Sequence, residues 1–297
     1  MSAKAIIVSA ADEQYFTLVR DLFASIRAHT FKVEFDLAIL DVGLSDENRV
    51  WLKAHNVRIE RAGVDVEFPG RLAWEAHKPG FRALSSKLFM RRYFPGYDVY
   101  MWMDADVWVQ TPDAINSMLK AAAETKAIYI ACELDRSYKT FFEHAGIWQV
   151  FRDWYKVNYG EPIAAAMTLK PMLNVGVWAM AKDSPVWEEW IQIHSEALQR
   201  LTAATDTSFM AEQLGLNILA YIKKVPHVVM PATFNWMTFH ALPMLDKKKG
   251  VYVEPLPPYA PISQFHLTRP IKEQVETIAC TDGTTVQRPL TYRALKG

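Results

Sequence analysis

Short apolar runs alternate with amphipathic stretches along the first two thirds of the chain. Residues 5–9 (AIIVS), 35–40 (FDLAIL) and 57–62 read as strands, brief and rich in aliphatic side chains. Between them, 14–29 carries Phe16, Val19, Leu22, Phe23 and Ile26 near helical spacing. Residues 45–55 open on Ser45, a helix N-cap residue, with Asn48 three positions on. This β-α-β-α-β order predicts a parallel sheet with right-handed crossovers. Residues 67–82, rich in aromatic and basic side chains, read as a loop, and 84–93 as a helix stopped by Pro95 and Gly96. Strands are expected at 100–110, 127–132 and 173–181, and helices at 111–125, 141–159, 185–201 and 207–223. In the last of these, Phe209, Met210, Leu214 and Ile218 form one stripe. From 228 onward prolines multiply and the pattern fades into an irregular tail. The expectation is an α/β domain over 1–240, with 241–297 wrapping it and closing a site as part of the same domain.

The stretch 100–110, YMWMDADVWVQ, carries the most chemistry. Apolar residues on both sides of Asp104 and Asp106 describe a strand covered on both faces. Two carboxylates there need a partner or a metal. Residues i and i+2 of a strand share a face, so both aspartates can approach one divalent cation. Open α/β sheets place their sites at the carboxyl ends of strands.

Overall composition excludes more than it assigns. The chain has 297 residues, 33 basic against 33 acidic, so no net charge draws it to nucleic acid or to a membrane surface. Its two cysteines are too few for a disulfide framework and fit a reducing compartment. Asp12 and Glu13 interrupt the first apolar run, which is therefore neither a signal peptide nor a membrane span.

Six segments, in order and spacing, resemble the retaining glycosyltransferases of family eight, the group of glycogenin and the bacterial lipopolysaccharide galactosyltransferases. Residues 7–15 (IVSAADEQY) are similar to the family's nucleotide-binding first strand, and 40–49 (LDVGLSDENR) to the second strand and helix of the bacterial enzymes. Residues 103–107 (MDADV) match the metal-binding D-x-D, 173–177 (LNVGV) the F-N-A-G-V segment, and 212–217 (EQLGLN) the D-Q-x-x-L-N motif. His266 matches a C-terminal metal-ligand histidine, and Lys272 a lysine that contacts the diphosphate. The chain departs from the family at Glu212, where the motif has aspartate, and at Lys87, in place of an arginine that reaches the donor sugar. The tail is also altered, so that Arg269 could hold the diphosphate instead of Lys272.

The resemblance implies a GT-A fold and transfer of a hexose from a UDP-sugar to a saccharide or glycolipid acceptor, with retention. Asp104, Asp106 and His266 would hold Mn²⁺ or Mg²⁺, the imidazole tilting the choice toward Mn²⁺. Ala10, Asp12, Gln14 and Tyr15 would bind the uracil nucleotide, with Asp104 and Ala105 beside its phosphates. Lys87, Asn174 and Gly176 would meet the donor sugar. Gln213 would lie near the anomeric carbon and Glu212 would bind sugar hydroxyls or serve as a covalent nucleophile. Glu133 and Asp135 read as loop charges on the acceptor side. Trp74, His77, Trp148, Trp154, Trp236 and His240 are aromatic groups that could stack on an acceptor sugar. The protein is expected in the cytoplasm, at most peripheral to the inner face of the membrane. Two other readings stay open: a catalytically degenerate nucleotide-sugar binder, and a haloacid dehalogenase-type phosphohydrolase using Asp104 and Asp106.

Overall fold

The structure is a computed structural model and describes residues 3–77, 80–144, 146–201 and 210–295. Strand β1 (Ala5–Ala11) is buried at every position, as a central parallel strand must be. Helix α1 (Phe16–Arg27) follows, and its five apolar residues at helical spacing all enter the core. Strand β2 (Phe35–Asp41) pairs parallel with β1, from Ala5 opposite Phe35 to Ala11 opposite Asp41. Helix α2 (Asp46–Ala54) starts at Ser45, whose hydroxyl accepts from the Asn48 backbone N–H at 3.3 Å. Strand β3 (Val57–Arg61) then extends the parallel edge.

Residues 67–82 are not the loop expected from the sequence. They hold α3 (Arg71–His77) and the start of α4 (Phe81–Ser86). Arg71 pairs with Glu67 and Glu75, and Arg82 with Glu75, which supports helices too short to persist alone. The buried Trp74 stacks on Phe81 with ring centroids 4.9 Å apart. After α5 (Met90–Tyr93), strand β4 (Val99–Met103) pairs parallel with the free side of β1.

Strand β5 (Val107–Val109) leaves this sheet, and α6 (Asp113–Glu124) returns to β6 (Ile128–Cys132). The helix expected over 141–159 is two, α7 (Thr140–Glu143) and α8 (Ile147–Tyr159), the second starting at Gly146. Helix α9 (Glu161–Met167) leads into β7 (Leu173–Ala181), buried throughout, and α10 (Val186–Gln199) follows. Of the helix expected over 207–223, residues 207–209 lie outside the described residues; α11 (Ala211–Ile218) continues into one π turn, Leu219–Lys223. Strand β8 (His227–Met230) completes a seven-stranded sheet in the order β3-β2-β1-β4-β7-β6-β8. Only β7 runs antiparallel to its neighbours β4 and β6, so the sheet is mostly parallel.

Beyond 228 the chain is built of short strands rather than an irregular tail. They are β9 (Trp236–Met237), the β10–β11 pair (Met244–Asp246, Val251–Val253), β12 (Gln264–His266), and the β13–β14 pair (Glu276–Ala279, Thr285–Arg288). Strand β12 lies between β5 and β9 in a second, three-stranded sheet. Gln110, just past β5, pins this segment with its amide: Nε2 donates to the carbonyls of Tyr252 and Ile262, and Oε1 accepts from the Tyr252 N–H at 2.7 Å. Trp108 stacks on Phe265 at 4.4 Å.

Candidate functional site

The D-x-D does not lie on one strand face. Strand β4 ends at Met103, and residues 104–106 form the turn that carries the chain into the second sheet. The Val107 N–H donates back to the Asp104 carbonyl at 3.1 Å, closing that turn. Asp104 donates its N–H to the Gly176 carbonyl in β7, and the Asp106 carbonyl accepts from the Leu267 N–H just after β12. Both carboxylates therefore converge through a turn stitched to two sheets, not through the pleat of a strand.

His266 joins them because β12 pairs with β5, placing it opposite Val107. Its Nε2 stands 3.7 Å from Asp104 Oδ2 and 3.3 Å from Asp106 Oδ1, and one ligand atom from each of the three residues fits within 4.8 Å. Cis ligands around a six-coordinate ion with bonds of about 2.1 Å are roughly 3 Å apart, so the donor set fits a divalent cation. A Cβ at Gly176 would lie 2.3 Å from His266 Cε1 and 2.7 Å from Nδ1. The absent side chain of Gly176 thus makes the space in which the imidazole sits.

Two lysines complete the cluster. Lys272 Nζ is 2.7 Å from Asp106 Oδ2. Lys87, only 1% exposed, stands 3.6 Å from both Asp104 Oδ1 and Glu212 Oε1, and 5.0 Å above the Trp102 ring. Trp102 Nε1 donates to Asp104 Oδ1 at 2.6 Å. Burial alone would raise the Asp106 carboxyl, but the neighbouring His266 and Lys272 hold it well below the usual carboxylate range. Burial would likewise lower the His266 imidazole, yet Asp106 and Asp104 carry it above its ordinary value.

A cleft of about 340 Å³ opens beside the cluster at the carboxyl ends of β1 and β4. Its walls bring together Ala10, Asp12, Gln14, Tyr15, Lys87, Asp104, Ala105 and Asp106, all singled out from the sequence. Asp12 also accepts from the Tyr15 N–H at 3.1 Å, at the entry to α1. Asn174, Gly176 and Gln213 do not line this cleft. They turn on one another and on Glu133: Asn174 Nδ2 donates to Glu133 Oε1 at 2.8 Å, and Gln213 Nε2 to the same oxygen at 3.1 Å. Arg269 is drawn away, its guanidinium on Glu276 at 2.9 Å and on the Thr238 carbonyl.

Chains of known structure share this architecture. A galactosyltransferase, LgtC, solved in complex with donor and acceptor sugar analogs, matches at a TM-score of 0.50 and 16% identity, over 89% of this chain and 87% of that one. An active-site mutant of LgtC matches at 0.51 and 16% identity, over 89% and 88%. The apo form of mouse xyloside xylosyltransferase 1 matches at 0.50 and 16% identity, over 90% and 97%. The fold is that of the GT-A glycosyltransferases. No protein-family model and no curated protein sequence matches the chain. Among the described residues, no helix is long and apolar enough to cross a membrane.

Within this GT-A frame several site residues escaped the sequence. Glu133 is not a loop charge but is 8% exposed, with both oxygens engaged. Burial would raise its carboxyl, but His240, Asn174 and Gln213 bring it below its ordinary value. Asp135 is the local loop charge expected, accepting from the Ser137 N–H at 2.8 Å. His240, Trp74 and Trp236 are buried rather than offered to a sugar, and the His77 side chain lies outside the described residues. Trp102, two residues before Asp104 and so in phase with it along an extended chain, is one that sequence could have found, and it lines the cleft.

Proposed function

We propose that the chain is a metal-dependent retaining glycosyltransferase that moves a hexose from a UDP-sugar to a hydroxyl of a saccharide or glycolipid. The observation that carries this reading is the convergence of Asp104, Asp106 and His266 at the wall of a cleft floored by the ends of β1 and β4. LgtC, solved with donor and acceptor sugar analogs, supplies the analogy for the substrate class. The likeness to GT-A transferases gives the phosphohydrolase alternative no support.

Asp104, Asp106 and His266 would hold Mn²⁺ or Mg²⁺. When bound, the ion neutralises charge on the departing diphosphate without proton transfer. Asp12, Gln14 and Tyr15 bind the uracil base, and Ala10 and Ala105 let the nucleotide lie against the backbone. Lys272 adds positive charge to the diphosphate; its 2.7 Å contact with Asp106 supports that role. Lys87 sits between Asp104 and Glu212, so it links the phosphate end of the cleft to the group that meets the sugar hydroxyls. By the family pattern Gln213 would supply a neutral amide near the anomeric carbon, reached from its present position on Glu133 and the Val175 N–H. An amide is a poor nucleophile, which favours attack on the face from which the diphosphate leaves, with that diphosphate accepting the acceptor's proton. Residues 241–297 close the site by delivering His266 and Lys272.

Calorimetry of UDP with and without Mn²⁺ tests the metal. Asp104→Asn and Asp106→Asn should each weaken Mn²⁺-dependent UDP binding by several kcal/mol, on the order of 3, with the fold intact. Proton NMR of the product should show an α-linkage from an α-linked donor. Unchanged affinity in both variants removes the metal assignment, and a β-linked product removes the retaining mechanism.

A further inference from the structure

Glu133 follows β6 directly, and its N–H donates to the Met172 carbonyl at 2.7 Å, where β6 and β7 lose register between Ile130 and Cys132. An ionised carboxylate only accepts hydrogen bonds. By taking Asn174 Nδ2 and Gln213 Nε2 on one oxygen, Glu133 forces both amides to turn their NH₂ groups inward. Their carbonyl ends are then fixed as well. Asn174 Oδ1 accepts from the Gly176 N–H at 2.9 Å and from Asn235 Nδ2 at 3.0 Å, and Gln213 Oε1 accepts from the Val175 N–H at 3.2 Å. An amide flipped end for end has nearly the same shape, so packing alone does not choose between the two orientations. The Glu133 carboxylate at one end and the Gly176 and Val175 N–H groups at the other choose it together.

The other oxygen of Glu133 faces His240 Nε2 at 3.4 Å. His240 is 7% exposed and held between rings: it stacks on Phe141 at 5.5 Å and lies 5.0 Å from Tyr138. Its backbone carbonyl accepts from the Lys139 N–H, which ties it to the chain entering α7. The imidazole is thus a fixed wall against which the carboxylate rests.

We propose that Glu133 and His240 are positioning residues of the transfer reaction: His240 fixes Glu133, and Glu133 sets the orientation of the Gln213 and Asn174 amides. This rests on the glycosyltransferase reading of the cleft. Neither residue lines that cleft or belongs to the Asp104–Asp106–His266 cluster, and the two amides stand behind the cleft wall as well, so an effect of Glu133 and His240 on transfer would pass through the placement of Gln213 and Asn174. A glutamine at 133 would fill the same volume. It would also present an NH₂ of its own, so the group facing the two amides would no longer be an obligatory, charged acceptor.

The test uses the full chain, with three variants: Glu133→Gln, His240→Gln and His240→Ala. With ¹⁵N-labelled glutamine and asparagine, the side-chain amide signals of Gln213 and Asn174 are identified by their loss in Gln213→Leu and Asn174→Leu. In the parent they should exchange slowly with solvent, and in Glu133→Gln they should shift and exchange faster. Turnover should fall roughly 100-fold in Glu133→Gln and His240→Ala, as expected for a displaced reacting group, with KM for the donor unchanged. His240→Gln keeps a donor toward Glu133 and should recover most of the loss; should His240→Ala not fold, the two glutamine variants carry the test. Amide signals unchanged in Glu133→Gln overturn the proposal. So does an altered signal with unaltered turnover, or a loss of turnover that only follows the melting temperature. A parent that turns over no nucleotide sugar sinks the glycosyltransferase reading, while the amide signals still decide whether these two residues orient the amides.

Discussion

Two polar regions meet at Gly176 and are built differently. On one side, Asp104, Asp106 and His266 face one another at 3.3 and 3.7 Å, and Lys87 stands 3.6 Å from Asp104. These separations exceed an ordinary N–H···O hydrogen bond. On the other side, Glu133, Asn174 and Gln213 are joined at 2.8 and 3.1 Å, with their amide oxygens on the backbone of β7. The first region spaces its three candidate ligands widely enough for an ion, with Lys272 against Asp106 at 2.7 Å. The second uses its one charge to lock neutral groups. The difference teaches where ligand chemistry ends and support begins, although every residue on both sides is polar and mostly buried.

The largest expected effect comes from breaking both regions at once. Gly176→Ala puts a methyl 2.3 Å from His266 Cε1 and 2.9 Å from Asn174 Oδ1, closer than any real contact. It should abolish Mn²⁺-dependent UDP binding in calorimetry, and overpacking should lower stability by about 1–3 kcal/mol in denaturant melts. A smaller effect sharpens the charged side alone. Lys272→Met should weaken UDP binding by roughly 1.5–3 kcal/mol, the range for a hydrogen bond to a charged group, whereas Arg269→Met should leave it unchanged. Equal losses would return Arg269 to the diphosphate. The smallest concerns the locked side and pH. Glu133 has its carboxyl held below the ordinary 4.5 by His240 and the two amides, against burial. Such a group stabilises the fold fully above its unfolded value and ceases to do so as pH falls through its lower folded value. Melting temperatures between pH 3 and 6 should therefore drop more steeply in the parent than in Glu133→Gln.

What could be read from the sequence follows the range over which each feature is determined. Strand β1, the buried stripe of α1 and the Ser45 cap depend on neighbours within a turn or two, and periodicity found them. The two aspartates read as parts of one strand because apolar residues flank them on both sides, through Met103 before and from Val107 after. The chain there passes from one sheet into another, and both sheets are buried, so hydrophobicity carries no mark of the change. Glu133 passed for a loop charge because its partners lie 41 and 80 residues away. Nothing beside it in sequence distinguishes a solvated carboxylate from a locked one. Lys87 and Glu212, marked separately as departures from the family pattern, turn out to face each other, a pairing no local signal could give.

The amide of Gln110 has one further consequence, which concerns the order in which the protein can be made. It bonds to Ile262, 152 residues downstream, and the pairing of β5 with β12 that it accompanies is what brings His266 to the aspartates. A chain emerging from the ribosome has laid down the partners of the large sheet, through β8, before Ile262 and His266 exist. All seven strands of the principal sheet are therefore synthesised before the histidine that joins the two aspartates. On the proposed reading a complete metal site must wait for β12, and a chain stopped before it lacks the third ligand.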